Sequence, residues 1–425
     1  MFCAAVLTIG LDQYRPFLGS VGNLSDVLFF AVFLADALTW LASLDQRRWH
    51  EFLGSLREME WLLWGGVLLA LGGAVASLQS EEPGASWRIT FKYFAMACIW
   101  LPWVAIAIER YSSRDEARAL YAIGFCLIAV ATWTDLLIGT RFAGRFVTTP
   151  GYQVRFDNLS EALRYGGPTG HPNTLGYLSV FGALLCVSEI GASTGRRRVV
   201  AGLAGLAVCG GALIVSGSRG AIVGMAVGGV VLLAFTDRVV RRRVTTVSAV
   251  SLGLLVVALT IGGLKEIPSN PLRRLTESVQ PRRDFDADWQ RRRDLTMATK
   301  LLLRDPLTGY GMEDVDTPNP PTKVAFNLPH FVLLQSWVAG GALALFGAMW
   351  IYAGTLWVGL KAARRKLPGA AALFAICVAF ALMDMVNPGL GQRLKWFALA
   401  LVIATLRRAA HAPGPLDGRL SAANA

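Results

Sequence analysis

The chain has 425 residues, 54% of them apolar and 16% charged, with a mean hydropathy of +0.47. A soluble protein carries about 25% charged residues, so the two or three soluble domains that the length would allow are excluded, and with them most soluble enzymes and disordered scaffolds. Apolar runs of roughly 18 or more residues recur along nearly the whole chain, the mark of an all-α polytopic membrane protein.

In chain order, about twelve apolar segments are expected as transmembrane helices, at about 1–11, 22–44, 61–78, 90–108, 119–139, 174–192, 199–216, 221–235, 244–262, 331–358, 369–388 and 394–406. The first is short enough for a half-helix, and the eighth and twelfth are short as well. Two connections are long, about 140–173 and 263–330. The expected organisation is therefore nine helices over 1–262, a large and partly helical loop over 263–330, three helices over 331–406 and a tail over 407–425.

The 41 Lys and Arg outnumber the 29 Asp and Glu, for a net charge of +12. In a soluble protein this excess would suggest nucleic acid; here its distribution assigns it to topology, and no nucleic-acid partner is expected. The connections after the even spans hold QRRWHEF, ERYSSRDEAR, GRRRV, DRVVRRR and KAARRK, and Arg407 and Arg408 open the tail. The short connections after the odd spans are poorer in cations. By the positive-inside rule both termini and the even connections are cytoplasmic, and the two long loops periplasmic. The loop at 263–330 carries eleven Lys and Arg against ten Asp and Glu, so it is highly charged but nearly neutral. The six cysteines all lie in apolar stretches without a CxxC pair and read as small buried residues. No basic region precedes the first apolar run, so a cleaved signal peptide is not expected.

Within the large loop a helix is expected from an N-cap at Asp288 to a stop at Pro306. Leu295, Ala298 and Leu302 form its apolar stripe, and Arg291 extends that stripe with Arg292 on the flank. Arg291 is either a cation snorkelling at the lipid surface or a guanidinium that binds phosphate through its fork of donors. His330 closes the loop at the mouth of the tenth span, and His171 stands at the mouth of the sixth. Each imidazole is either packed at the interface or a proton acceptor near neutral pH. Arg219 lies in SGSRGAIVG, a tight outer turn that requires Gly217 and Gly220 but no arginine. GGPTGHPNTLG at 166–176, with His171 and Asn173, reads as shaped backbone lining a cavity. Asp284, Asp286 and Asp288 form D-x-D-x-D, but the glycine and bidentate Glu of a calcium loop are missing and arginines flank the acids, so no metal is expected. Asp26, Asp36, Asp135 and Asp384 are embedded acids, and such residues are functional candidates.

RYGGPTGHPNTLGYLSVFGALL at 164–185, SGSRGAIVG at 216–224, RRRDLTMATKLLLRDPLTGYG at 291–311 and His330 opening a span together resemble the O-antigen ligase and polymerase superfamily. About twelve spans with a large loop before the tenth are similar to the ligase branch in particular. Phe331 after His330, where the family often has Asn, and Leu295, where it often has an aromatic residue, depart from the pattern. The resemblance implies an inner-membrane glycosyltransferase of lipopolysaccharide biosynthesis with a periplasmic active site. It would move O-antigen polysaccharide from undecaprenyl diphosphate to lipid A–core oligosaccharide, inverting at the anomeric carbon, without cofactor or metal. Arg219, Arg291 and Arg292 would bind the diphosphate, whose charge grows as the bond breaks. His330 would be the catalytic base, and Arg164, His171 and Asn173 would bind substrate or shape the site. The alternatives are an O-antigen polymerase or another transferase of lipid-linked glycans and, from a different class, a lipid or solute transporter.

Overall fold

The computed structural model describes residues 1–9, 24–43, 53–54, 56–57, 59–80, 82–138, 166–169, 171–261, 287–312, 331–386 and 393–411. Among these the regular elements are all helical, without a strand. In chain order they are α1 (Phe2–Leu7), α2 (Leu24–Ser43), α3 (Glu60–Ser77), α4 (Pro83–Tyr111, with a π-helical stretch at Ala95–Trp100), α5 (Arg114–Ile138), α6 (Pro172–Ala192) and α7 (Arg196–Ser216). They continue with α8 (Arg219–Phe235), α9 (Arg238–Ile261), α10 (Ala287–Arg304), α11 (Val332–Arg364), α12 (Ala370–Asp384) and α13 (Arg393–His411). Each apolar segment read from the sequence falls on one of these helices, and α10 is the helix expected in the large connection. Six are long and apolar enough to cross a membrane, namely α3, α4, α5, α6, α7 and α11; α8 and α12 are shorter apolar helices. The chain is a polytopic α-helical membrane protein.

α6 is the central helix. It is buried along most of its length and packs on α5, α7, α8, α9 and α12. Small residues make those contacts close: a methyl group on Gly182 would meet Cys209 Sγ at 2.7 Å, and one on Gly191 would meet Val240 at 2.5 Å. The α3–α11 pair is tighter still, since a Cβ on Gly347 would stand 2.4 Å from the Leu69 backbone nitrogen and one on Gly72 2.5 Å from the Gly340 carbonyl. The sulfurs of Cys126 and Cys186 are 3.9 Å apart, and those of Cys126 and Cys209 likewise, all as free thiols. Cys186, Cys209 and Cys377 are buried, whereas Cys3, Cys98 and Cys126 are partly exposed at the surface of the bundle.

The bundle has two chemically distinct ends. One collects cross-helix ion pairs: Arg110 with Asp36 at 3.0 Å, Arg118 with Glu189 at 2.8 Å, Lys366 with Asp237 at 3.2 Å and Arg407 with Glu109 at 3.5 Å. Arg243 also donates to the Ser193 carbonyl there. Among the described residues, this basic end carries the cation clusters that come after the fourth, sixth, eighth and tenth apolar segments. The opposite end carries the turn at Gly217, the start of α6 and the end of α12.

α11 is broken within its length. Gly341 has φ 68° and ψ −167°, which removes the helical hydrogen bonds around it. The segment after α10 fills the gap: the amides of Tyr310 and Gly311 donate to the carbonyls of Val338 and Ala339 at 3.0 and 2.9 Å, and the Ala342 amide donates to the Leu307 carbonyl at 3.1 Å. Irregular backbone inside a membrane protein persists where other protein groups satisfy it, and residues 307–311 do so here.

Candidate functional site

His171 caps α6 in an extended conformation, and its Nδ1 accepts the Asn173 amide at 3.2 Å. Pro172 follows at the first helical position, where no amide is required. The preceding turn is held by Thr169, whose hydroxyl lies 2.6 Å from the Gly166 carbonyl and 3.0 Å from that of His171. Gly167 has φ +51° and faces Thr132 so closely that a Cβ would meet its hydroxyl at 2.4 Å.

The turn between α7 and α8 sits against this mouth. Gly217 is left-handed with φ 56° and ends α7, and Ser218 holds the N-cap position of α8 without a side-chain capping bond. The Ser218 hydroxyl donates to the Asn173 Oδ1 at 3.2 Å, and the Ser218 amide donates to the Ser216 hydroxyl at 3.3 Å. Gly176 lets α6 approach: a Cβ there would meet Ala221 and Ser218 at 2.9 Å each. Arg219, the first residue of α8, is half-buried beside this junction. Gly220 packs against Val386 just past the end of α12. The His171–Asn173 and Ser218–Arg219 motifs, 45 residues apart between Asn173 and Ser218, are thus one structural unit.

Beneath it lies a charged cluster. Tyr177 donates to the Met383 carbonyl at 2.9 Å. The next residue, Asp384, is fully buried and accepts from the Tyr352 hydroxyl and the Lys395 ammonium. Lys395 stands over the rings of Tyr177 and Phe380 at 4.8 and 4.5 Å. Arg393 pairs with Asp26. The embedded acids singled out in the sequence therefore divide: Asp384 and Asp26 bind cations beside this mouth, Asp36 binds Arg110 and Trp103 at the basic end, and the Asp135 side chain lies outside the described residues. Neither Lys395 nor Tyr352 stands among the site candidates read from the sequence. A lone lysine in the apolar run of α13 was the available signal.

α10 buries Asp294, Ala298, Leu301 and Leu302, while Leu295 is 49% exposed. The stripe is thus rotated from the expected Leu295–Ala298–Leu302 line. Arg291 stands three residues before Asp294 and seven before Ala298, the spacing of the buried stripe. The helix begins at Ala287, one residue before the expected cap. The side chains of Asp288, Arg291 and Arg292 lie outside the described residues, as do Arg164, Asp284, Asp286 and His330 altogether.

The segment after α10 is well anchored. Asp305 accepts the amides of Leu307 and Thr308 at 3.3 and 3.2 Å, and the Thr308 hydroxyl as well; these donors hold its carboxyl below the usual value. Trp337 donates to the Pro306 carbonyl at 2.8 Å, and the Met312 amide donates to Ser86 at 2.7 Å. The strap 305–312 thereby fixes α10 to α4 and α11. α11 also carries Tyr352 to Asp384, so one helix connects the strap with the cluster under Arg219.

Residues 204–349 match the family model described as O-antigen ligase, a stretch that includes Arg219, all of α10 and the strap. No curated protein matches the chain at significant similarity.

Proposed function

The chain belongs to the O-antigen ligase and polymerase superfamily, and from this premise we propose that it is a ligase: a glycosyltransferase of the bacterial inner membrane, with its site facing the periplasm. It moves O-antigen polysaccharide from undecaprenyl diphosphate to a hydroxyl of lipid A–core oligosaccharide. The observation that carries this reading is that one family match spans both the Arg219 turn and the loop helix bearing Arg291 and Arg292, and runs through His330.

The chemistry suits those residues. The leaving group is a lipid diphosphate whose charge grows as the glycosidic C–O bond breaks, and guanidinium groups of Arg219, Arg291 and Arg292 stabilise it. His330 takes the proton of the acceptor hydroxyl as its oxygen attacks the anomeric carbon, and direct attack inverts that centre. The donor is already activated, so the reaction needs neither nucleotide nor metal. Asn173 and His171 hold the Arg219 turn in place.

The test is transfer by purified protein from lipid-linked glycan to lipid A–core, with EDTA present and nucleotide omitted. A ligated product supports the reading. Glycan lengthening without lipid A–core would assign the polymerase reaction instead, and a strict need for a divalent cation would overturn the metal-free mechanism.

A further inference from the structure

At the basic end, a groove of about 700 Å³ opens between α3, α11 and α13. Along α11 it is lined by Trp350, Gly354, Trp357, Lys361 and Arg365, spaced three or four residues apart, so one face of the helix passes from aromatic to cationic. Trp61, Met59, Ile403 and Leu406 complete the apolar walls, and Arg407 adds a third cation. Gly354 makes the room: a Cβ there would stand 1.8 Å from the Trp61 ring. Arg407 is partly compensated by Glu109 at 3.5 Å. Lys361 and Arg365 are exposed and have no ion-pair partner among the described residues.

We propose that this groove binds an anionic glycerophospholipid, its phosphate against Lys361 and Arg365 and an acyl chain along Trp357 and Trp350. On the orientation proposed above, the lipid belongs to the cytoplasmic leaflet. Snorkelling cations and a single interfacial tryptophan need no groove. Here Trp350 lies seven residues, roughly 10 Å, further along α11 than Trp357, and it is 50% exposed while Trp357 is 62% exposed. Both belong to a helix apolar enough to span the bilayer, so their exposed faces meet lipid chains. Surplus positive charge at the head of an apolar channel is complementary to a phospholipid that carries net negative charge, and less so to a zwitterionic one. The groove is at the opposite end from the Arg219 turn and is separate from the transferase reading.

The test uses delipidated full-length protein in detergent, titrated with phosphatidylglycerol or phosphatidylcholine of identical chains and read by native mass spectrometry. Wild type should retain one phosphatidylglycerol in preference. The Lys361→Gln/Arg365→Gln double variant should bind phosphatidylglycerol about 30-fold more weakly while its phosphatidylcholine binding is unchanged. Equal retention of the two lipids by wild type, or an undiminished preference in the double variant, would overturn the proposal. Should that variant not purify as a monodisperse species, brominated chains give the answer on wild type. Phosphatidylglycerol should quench tryptophan fluorescence more than phosphatidylcholine at equal mole fraction, and equal quenching is the contrary result.

Discussion

His171 engages its Nδ1 as a helix cap, accepting the Asn173 amide, whereas a catalytic base must keep a ring nitrogen for substrate. Asn and Asp are among the best cap residues, so His171→Asn should keep the α6 mouth intact and lose no more than a few-fold in transfer. His330→Gln retains size but accepts no proton, and should lose about 10²–10⁴ in rate while still binding lipid-linked donor in a filter assay. If the two variants are equally inactive, the base has been assigned to the wrong histidine. The same logic separates charge from geometry at Arg291. Arg291→Lys keeps the cation but loses the bidentate fork, and transfer should fall by about 10²–10³ at unchanged expression. Near-normal turnover by Arg291→Ala would move the role to Arg292 or Arg219. Arg219 stands out in the sequence as a candidate because a tight glycine turn has no need of it. Its partners do not, because nothing local to GGPTGHPNTLG or SGSRG says that the Asn173 and Ser218 side chains meet.

Among the elements, the broken α11 shows most clearly what periodicity leaves out. Val332–Arg364 reads as one long apolar helix, and two adjacent glycines look like ordinary small residues of a membrane span. Gly341 instead occupies a backbone region essentially reserved for glycine, and a Cβ there would fall 2.0 Å from the Leu307 carbonyl. Gly341→Ala should therefore cost roughly 1–3 kcal/mol from the backbone alone and release the 307–311 strap, seen as faster amide exchange of Tyr310 and Gly311. Gly229→Ala, in open space on α8, should leave exchange unchanged. The expected helix in the large loop emerged close to its predicted bounds because the stopping proline is a local signal, although Asp288 lies inside the helix and the stripe is rotated. The strap after it escaped notice because its hydrogen bonds go to residues about thirty positions away. Asp305 offers a pH handle on the same element. Its carboxyl is held low by the Thr308 hydroxyl and the amides of Thr308 and Leu307, so its contribution is complete above the unfolded value, about 3.9, and is lost as pH falls through the lowered folded value. Asp305→Ala should loosen the strap at neutral pH and remove the acid-dependent part of its exchange. Protection of the strap amides relative to intrinsic exchange that stays constant from pH 6 to about 3 would show that Asp305 does not anchor it.

Across the whole molecule, charge alternates from one connection to the next, and the helix pairings supply an independent constraint. Arg118, Arg243, Asp237, Lys366, Glu109 and Arg407 come from connections assigned to one side; at one end of the bundle Arg118 pairs with Glu189 near the end of α6, Lys366 with Asp237 and Arg407 with Glu109, and Arg243 donates to the Ser193 carbonyl. Gly217, His171, Val386 and the 305–312 strap gather elsewhere, away from that end. Helix geometry fixes which connections share a side but not which side faces the cytoplasm; the excess of Lys and Arg decides that. In the orientation proposed on that rule, the basic end lies inside and the two long loops, 140–173 and 263–330, in the periplasm. In a background without the six native cysteines, Ser160→Cys and Thr317→Cys should react with a membrane-impermeant maleimide in cells whose outer membrane is permeable to it, and Arg197→Cys should react only after lysis. Ser160 and Arg197 must label oppositely, because α6 runs between the connections that hold them. The reverse pattern, with Arg197→Cys labelled in intact cells and the loop positions protected, would invert the protein. It would place the Arg219 turn and α10 in the cytoplasm, on the wrong side for the proposed periplasmic transfer to lipid A–core.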